Sequence, residues 1–436
     1  MNVLLRALYG GAGLLAQTAV VTGLPGEGKL ARSLRDRRGL LARYRAFGAT
    51  GRDPQRPLVW FHAPSVGEGL QAMPVMSHLR VRSPEVQQAY THFSPSAAAF
   101  AQRSGAEFRD YLPFDVAAQM GSALDALRPS ALVFSKLDVW PMLVEQAARR
   151  RIGLGLISAT LAESSARRGD IAAALTRDAY AALQAVGAID DADAARLIEI
   201  GVRESVISVT GDTRYDQVWT RARSAAANAP WLARFRTTAR ITLVAGSTWP
   251  TDDAVLLPAW QELTARWPGK LRLIIAPHEP TAAHLAPIER WAAATSLRCT
   301  RLDAPDDTAA DVVLVDKLGV LGDLYSLADA AFVGGGFHDA GLHSVLEPAA
   351  FGAPVVFGPR HTDSRDASLL LSDQGARAVS DVRELRATLA DWLSPDAPAA
   401  RLDAGALARA RVAHGIGAAD RSTELVLSLL PVTRTR

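Results

Sequence analysis

The feature that most constrains the fold is an alternation that occurs twice along the chain. Short apolar runs are separated by helix-compatible segments. The first series comprises PLVWFHA (57–63), ALVFSK (131–136), GLGLIS (153–158) and SVISVTG (205–211). The second comprises ITLVAGS (241–247), LRLIIAP (271–277), VVLVD (312–316), AAFVGG (330–335) and PVVFG (354–358). Short apolar runs with helical segments between them argue for parallel sheets covered by helices on both faces. The stretch between the series, residues 212–235, is polar and reads as a linker. The sequence therefore predicts an α/β chain of two doubly wound, Rossmann-like domains facing a cleft. Its parts are an apolar N-terminal helix (1–28), a first domain (29–211), the linker (212–235) and a second domain with a C-terminal helix (236–436).

Composition narrows the class. With 436 residues and 49% hydrophobic side chains, the chain is globular and has length for two or three domains. A net charge of +3 is only mildly basic, and nothing points to nucleic acid. A single cysteine, Cys299, excludes an intramolecular disulfide framework. The sequence lacks HExxH, CxxC, GxSxG and Walker patterns, so neither a metal site nor a cofactor is expected.

The N-terminus has its own signature. Ala7 to Leu24 carries no charge, close to the minimum for a membrane span, although its glycines, Gln17 and threonines make it a poor one. Lys29, Arg32, Arg35, Arg37, Arg38, Arg43 and Arg45 follow. Basic residues there favour a cytoplasmic location for the next domain and attract anionic headgroups. The expectation is a membrane anchor or surface helix; a helix packed on the domain is the alternative.

In doubly wound folds ligands bind beyond the carboxyl ends of the strands, and the chemically interesting loops fall there. In HAPSVGEGLQA, Glu68 stands between Gly67 and Gly69 where a helix should begin, after Ser65. That end of the helix dipole favours a carboxylate, as a general base requires; a plain first-turn glutamate reads equally well. AGSTWPTDD places Ser247 and Thr248 at a strand end, for helix capping or phosphate binding. APHEP does the same for Pro277, His278 and Glu279. In GGGFHDAGLHSVLEP, Gly334, Gly335 and Gly336 permit close backbone approach. A helix starting near His343 would point free N–H groups at an anion. Glu347 would either accept hydrogen bonds from ribose hydroxyls or only complement the helix dipole.

Taken together, these loops resemble the Kdo transferases, the 3-deoxy-D-manno-octulosonic acid transferases of lipopolysaccharide synthesis. The resemblance runs over nearly the whole chain. It rests on the apolar start, HAPSVGEG, SKLDVWP, TGDTRYD, GSTWPTDD, APHEP, DKLGVLGDLYSLADAAFVGGGF and GLHSVLEPAAFGAPVVFGP. The chain departs from the common pattern at Lys136, where many members have glutamate, and at His278 and Glu279, where many have arginine and histidine. Asp138, Asp212 and Arg214 stand where glutamate, asparagine and lysine are frequent. Ser344 replaces the usual asparagine.

The resemblance implies a GT-B fold and inverting, metal-independent transfer of Kdo from CMP-Kdo to a lipid A precursor at the cytoplasmic face of the inner membrane. It makes Glu68 the catalytic base and places Ser65, Gly67, Asp138 and Trp140 with the acceptor. It assigns Ser247, Thr248, Pro277, His278, Glu279, Lys317, Gly319, Gly335, Gly336, His343, Ser344 and Glu347 to the donor. Its glycines would bring backbone N–H groups to the donor's phosphate and sugar. The competing readings are a GT-B transferase or epimerase acting on a UDP-sugar, and a non-catalytic membrane-associated binding protein.

Overall fold

The computed structural model describes Tyr9, Gly11 and residues 28–163, 165–237, 240–304 and 307–431. The predicted N-terminal helix therefore lies, apart from Tyr9, Gly11 and Gly28, outside the described part. Among the described residues, no helix is long and apolar enough to cross a membrane. The chain divides into two compact units, 1–217 with 417–436, and 218–416.

The first unit is built on a seven-stranded, all-parallel sheet. Its strands are β1 (Leu58–His62), β2 (Gln87–His92), β3 (Phe108–Tyr111), β4 (Ala131–Ser135), β5 (Gly153–Ala159), β6 (Ala185–Ala188) and β7 (Ile207–Val209). Their spatial order is β3-β2-β1-β4-β5-β6-β7. Side chains alternate across the sheet. Leu58 and Trp60 join one core with Leu132 and Phe134. Val59 and Phe61 join another with Val75, Leu79 and Val133. Burial on both faces explains why these strands read as continuous apolar runs.

The second unit repeats the plan with β8 (Ile241–Thr248), β9 (Leu271–Pro277), β10 (Cys299–Arg301), β11 (Val312–Leu314), β12 (Ala330–Val333), β13 (Val355–Phe357) and β14 (Ala376–Ala378). The order is β10-β11-β9-β8-β12-β13-β14, again all parallel.

Two features differ from the sequence reading. Residues 214–228, within the stretch read as a linker, form a helix. The end of the chain belongs to the first unit, not the second. There Leu425 and Val426 of the helix Ala418–Leu427 enter the core beside Val59 and Phe61. Asp216 fixes the start of that helix, accepting hydrogen bonds from Gly417 N–H at 2.7 Å and Ala419 N–H at 2.9 Å.

The basic segment is also not uniformly available to a partner. Arg37 is buried, its guanidinium 4.3 Å from the Phe93 ring centre and 4.5 Å from that of Tyr111. Arg43 pairs with Asp110 at 2.6 Å. Arg32, Arg35, Arg38 and Arg45 are exposed.

Candidate functional site

Each sheet has a place where the connections of two neighbouring strands diverge to opposite sides, and ligands of doubly wound folds bind beyond the strands' carboxyl ends there. In the first sheet that place lies between β1 and β4, which pair directly. The loop after β1 carries Ser65, Gly67 and Glu68; the loop after β4 carries Lys136, Asp138 and Trp140. The two loops meet.

Glu68 sits in the first turn of the helix Val66–Arg82, whose N-cap is Ser65. The Ser65 hydroxyl donates to Glu68 Oε2. The Lys136 ammonium lies 3.7 Å from Oε1. From the end of β4, the Ser135 hydroxyl donates to the Glu68 carbonyl at 2.8 Å. Gly69 has to be glycine: an added Cβ would lie 2.4 Å from the Phe100 ring and 2.6 Å from the Tyr90 hydroxyl. Glu68 is thus held at both backbone and carboxylate while remaining partly accessible.

Asp138 is the hub of a second group. Its Oδ2 accepts the Trp140 indole N–H at 2.8 Å and lies 3.5 Å from Nε2 of the buried His62. Its Oδ1 accepts from Arg167 at 3.3 Å. Burial alone would raise the Asp138 carboxyl. Hydrogen bonding and charge from His62, with Trp140 and Arg167, outweigh burial and hold it below its ordinary value. His62 Nδ1 is 3.0 Å from the Thr91 hydroxyl, which also accepts from Trp60.

In the second sheet the corresponding place lies between β8 and β12. After β8 come Ser247, in left-handed backbone with φ 56°, and the buried Thr248. After β12 comes the glycine-rich loop. The glycines serve contacts within the unit. A Cβ on Gly334 would lie 2.2 Å from the Ser247 carbonyl oxygen, and one on Gly336 would lie 2.4 Å from the Gly358 nitrogen. Gly335 adopts φ 89°, and its Cβ would meet the Gly341 carbonyl at 2.1 Å.

The N–H groups of Gly335 and Phe337 do not point to open space: both donate to Asp252, at 2.8 and 3.1 Å. Asp252 also accepts from Trp249 N–H at 2.9 Å. The Gly335 N–H, expected to face a phosphate, is thus taken up by Asp252. The helix they lead into begins at Leu346 and ends at Ala350, later than expected, with Glu347 in its first turn.

Four rings from three strand-end loops converge here. Trp249 stacks on His338 at 4.0 Å and on His278 at 4.7 Å, and His278 stacks on His343 at 4.5 Å. Trp249 Nε1 donates to His343 Nε2 at 3.3 Å. Burial, then the neighbouring His278 and His338, push His343 down to about 4, so its ring is neutral near pH 7.

Glu347 faces Arg221 of the helix Arg214–Asn228 at 4.0 Å, and Arg221 also binds Asp323 at 3.0 Å. Burial pushes the Glu347 carboxyl up; Arg221 opposes the shift and Asp323 adds to it. Gly322 makes room for Arg221, since a Cβ there would lie 2.2 Å from the guanidinium carbon.

Other expected donor residues are not gathered into this cluster. Lys317 pairs with Asp303. Glu279 and Ser344 are exposed. Gly319 is required by its φ of 88°. Sequence reading missed His62, Arg167, Arg221, Trp249, Asp252 and His338. Asp252 had a signal in TWPTD, a proline-led helix start with an acidic residue in its first turn.

The 3-deoxy-D-manno-octulosonic-acid transferase (kdotransferase) family model matches residues 33–217. Similarity to Kdo transferases extends further along the chain. The enzyme of Bordetella pertussis is 29% identical over 88% of this chain and 90% of its own length. Those of Chlamydophila psittaci and Haemophilus influenzae are 29% and 27% identical over 80% and 76% of this chain, and 81% and 77% of their own lengths. Among solved structures, the UDP-GlcNAc 2-epimerase of Neisseria meningitidis superposes with a TM-score of 0.63 at 14% identity, covering 86% of this chain and all of that one. A putative UDP-N-acetylglucosamine 2-epimerase from Listeria monocytogenes gives 0.59 at 13%, over 86% of this chain and 96% of its own. At such identities the likeness is one of fold, and the fold is GT-B.

Proposed function

We propose that this chain transfers Kdo from CMP-Kdo to a lipid A precursor, by a metal-independent, inverting displacement in which Glu68 is the general base. The observation that carries this reading is the setting of Glu68. It stands at the β1/β4 strand ends, restrained by Ser65 and Ser135, with the Lys136 ammonium 3.7 Å away. A sugar hydroxyl is a weak nucleophile, and a positioned base contributes about 10²–10⁴-fold. Glu68 takes the acceptor's proton as its oxygen bonds to the anomeric carbon of Kdo. The bond from that carbon to the CMP phosphate oxygen breaks, and CMP departs. One direct displacement inverts the configuration.

The second unit holds the donor. The ring cluster of Trp249, His278, His338 and His343 offers aromatic surface of the kind on which bases stack. The short helix beginning at Leu346 directs N–H groups toward a phosphate. Glu347 accepts hydrogen bonds from the ribose. Thermal unfolding with added nucleotides tests the donor assignment. CMP should raise the midpoint where UDP and UDP-GlcNAc do not; stabilisation by UDP-GlcNAc alone would point to a UDP-sugar enzyme instead.

The acceptor is a membrane lipid, so the proposal includes residence at the cytoplasmic face of the inner membrane. The charge-free stretch Ala7–Leu24 and the exposed arginines Arg32, Arg35, Arg38 and Arg45 support it. Vesicle flotation of the full chain and of a chain lacking residues 1–24 tests it; equal flotation would remove the anchoring role of that stretch.

A further inference from the structure

We propose that Lys136 is a substrate-binding residue that recognises an oxyanion on the acceptor, beside the hydroxyl that Glu68 deprotonates. The inference rests on the proposed transfer to an acceptor sugar and names a feature of that acceptor: a phosphate or carboxylate close to the reacting hydroxyl.

Three observations carry it. Lys136 occupies the first position after β4, and it does so in left-handed backbone with φ 66°. A lysine there costs roughly 1–2 kcal/mol relative to ordinary backbone. Such strain persists only where surrounding structure imposes it. Here the Lys136 N–H donates to the Ile157 carbonyl at 2.9 Å, and the adjacent Ser135 hydroxyl binds the Glu68 carbonyl. The direction in which the Lys136 side chain leaves the backbone is therefore set by the sheet.

Next, the ammonium is underused. Among the described residues Glu68 is the only carboxylate within 4.0 Å, and at 3.7 Å the contact is longer than a hydrogen bond. A lysine ammonium has three donors. Its side chain is 46% exposed while that of Glu68 is 19% exposed, so the cation is the more accessible of the two to an arriving acceptor.

Last, the neighbouring cation is already committed. Arg167 binds Asp138, which in turn holds Trp140 and faces His62. An incoming oxyanion thus finds Lys136 with donors to spare and Arg167 engaged. Binding the oxyanion draws the acceptor's adjacent hydroxyl toward Glu68.

The test uses the full chain, CMP-Kdo, a bis-phosphorylated tetra-acyl disaccharide lipid and the same lipid with its phosphates removed. Lys136→Gln should raise the KM for the phosphorylated acceptor by about 10- to 100-fold, leave kcat within about five-fold and leave the KM for CMP-Kdo unchanged. Lys136→Arg should recover most of the loss. The dephosphorylated lipid should be used poorly and equally by parent and variant, which assigns the oxyanion to a phosphate. If Lys136→Gln raises the KM for that lipid as much as for the phosphorylated one, no oxyanion of this acceptor is being read, and the proposal is overturned. A fall in kcat with unchanged acceptor KM would overturn the proposal and make Lys136 a partner of Glu68 only. A raised donor KM would overturn it too. Calorimetric binding of the phosphorylated lipid to parent and Lys136→Gln decides the matter without turnover. Weaker binding by the variant supports the site even if CMP-Kdo proves not to be the donor, and equal binding refutes it even if transfer occurs.

Discussion

The Asp252 carboxylate accepts the N–H of Gly335 at 2.8 Å, joining the first turn of the helix after β8 to the loop after β12. Trp249 and Phe337 N–H groups bind the same side chain at 2.9 and 3.1 Å. The glycine-rich loop is therefore anchored from within its own unit. Burial pushes the Asp252 carboxyl up against the pull of these three donors.

Asp252→Ala should accordingly leave three N–H groups unpaired. With hydrogen bonds to a charged group contributing about 1.5–3 kcal/mol each, the second unit should lose on the order of 3 kcal/mol or more. CMP binding should weaken with it. Urea unfolding and calorimetry check both; a variant as stable as the parent that binds CMP equally well would show that the loop is held by other means.

Glu347→Ala should weaken CMP binding by roughly 10- to 150-fold, the consequence of losing a charged acceptor from the ribose. The Arg221 contact supplies the control. If Glu347 serves only to neutralise Arg221, then Glu347→Ala and Arg221→Met will both change stability while CMP affinity stays at the parent value.

Buried His92 gives the first unit a calculable response to acid. Burial pushes its ring down to about 4 from 6.5, and neither ring nitrogen has a hydrogen-bond partner among the described residues. Its folded value is depressed, so the stability it contributes is complete above about pH 6.5 and is lost as pH falls toward 4. The gap between the unfolded and folded values makes that contribution about 3 kcal/mol. His92→Phe keeps the contact with Tyr111, 4.2 Å between ring centres in the parent, and removes the titration. It should show a shallower loss of stability between pH 6.5 and 4 in denaturant melts; an unchanged slope would place the acid response elsewhere.

Much of this architecture could be read from the chain, for a physical reason. Strands buried on both faces must be apolar throughout, so β1, β4, β5, β8 and β9 announce themselves. β2 does not, because QQAYTH is polar yet buried. Its side chains have local partners: the Gln88 amide donates to the Met76 carbonyl and Gln87 accepts from Arg52. β6 escapes notice because AVGA is short and small. The loops carrying Glu68 and Asp138 were legible through their strand-end positions, but the contact between them depends on β1 lying beside β4, which residue pattern does not specify. Arg221 was hidden for another reason. It lies in a polar segment that reads as linker, and only its reach across Gly322 to Asp323 and Glu347 gives it a place in the second site.

The most direct measurement incubates the full chain with CMP-Kdo and a tetra-acylated lipid A precursor and reads the products by mass spectrometry, beside a Glu68→Gln variant of matched stability and CMP affinity. The parent should release CMP and convert the lipid to species carrying added Kdo, while the variant loses about 10²–10⁴-fold in kcat. Recovery of both substrates unchanged from the parent would contradict the proposed transfer, and turnover by Glu68→Gln within a few-fold of the parent would contradict the role of Glu68 as its base.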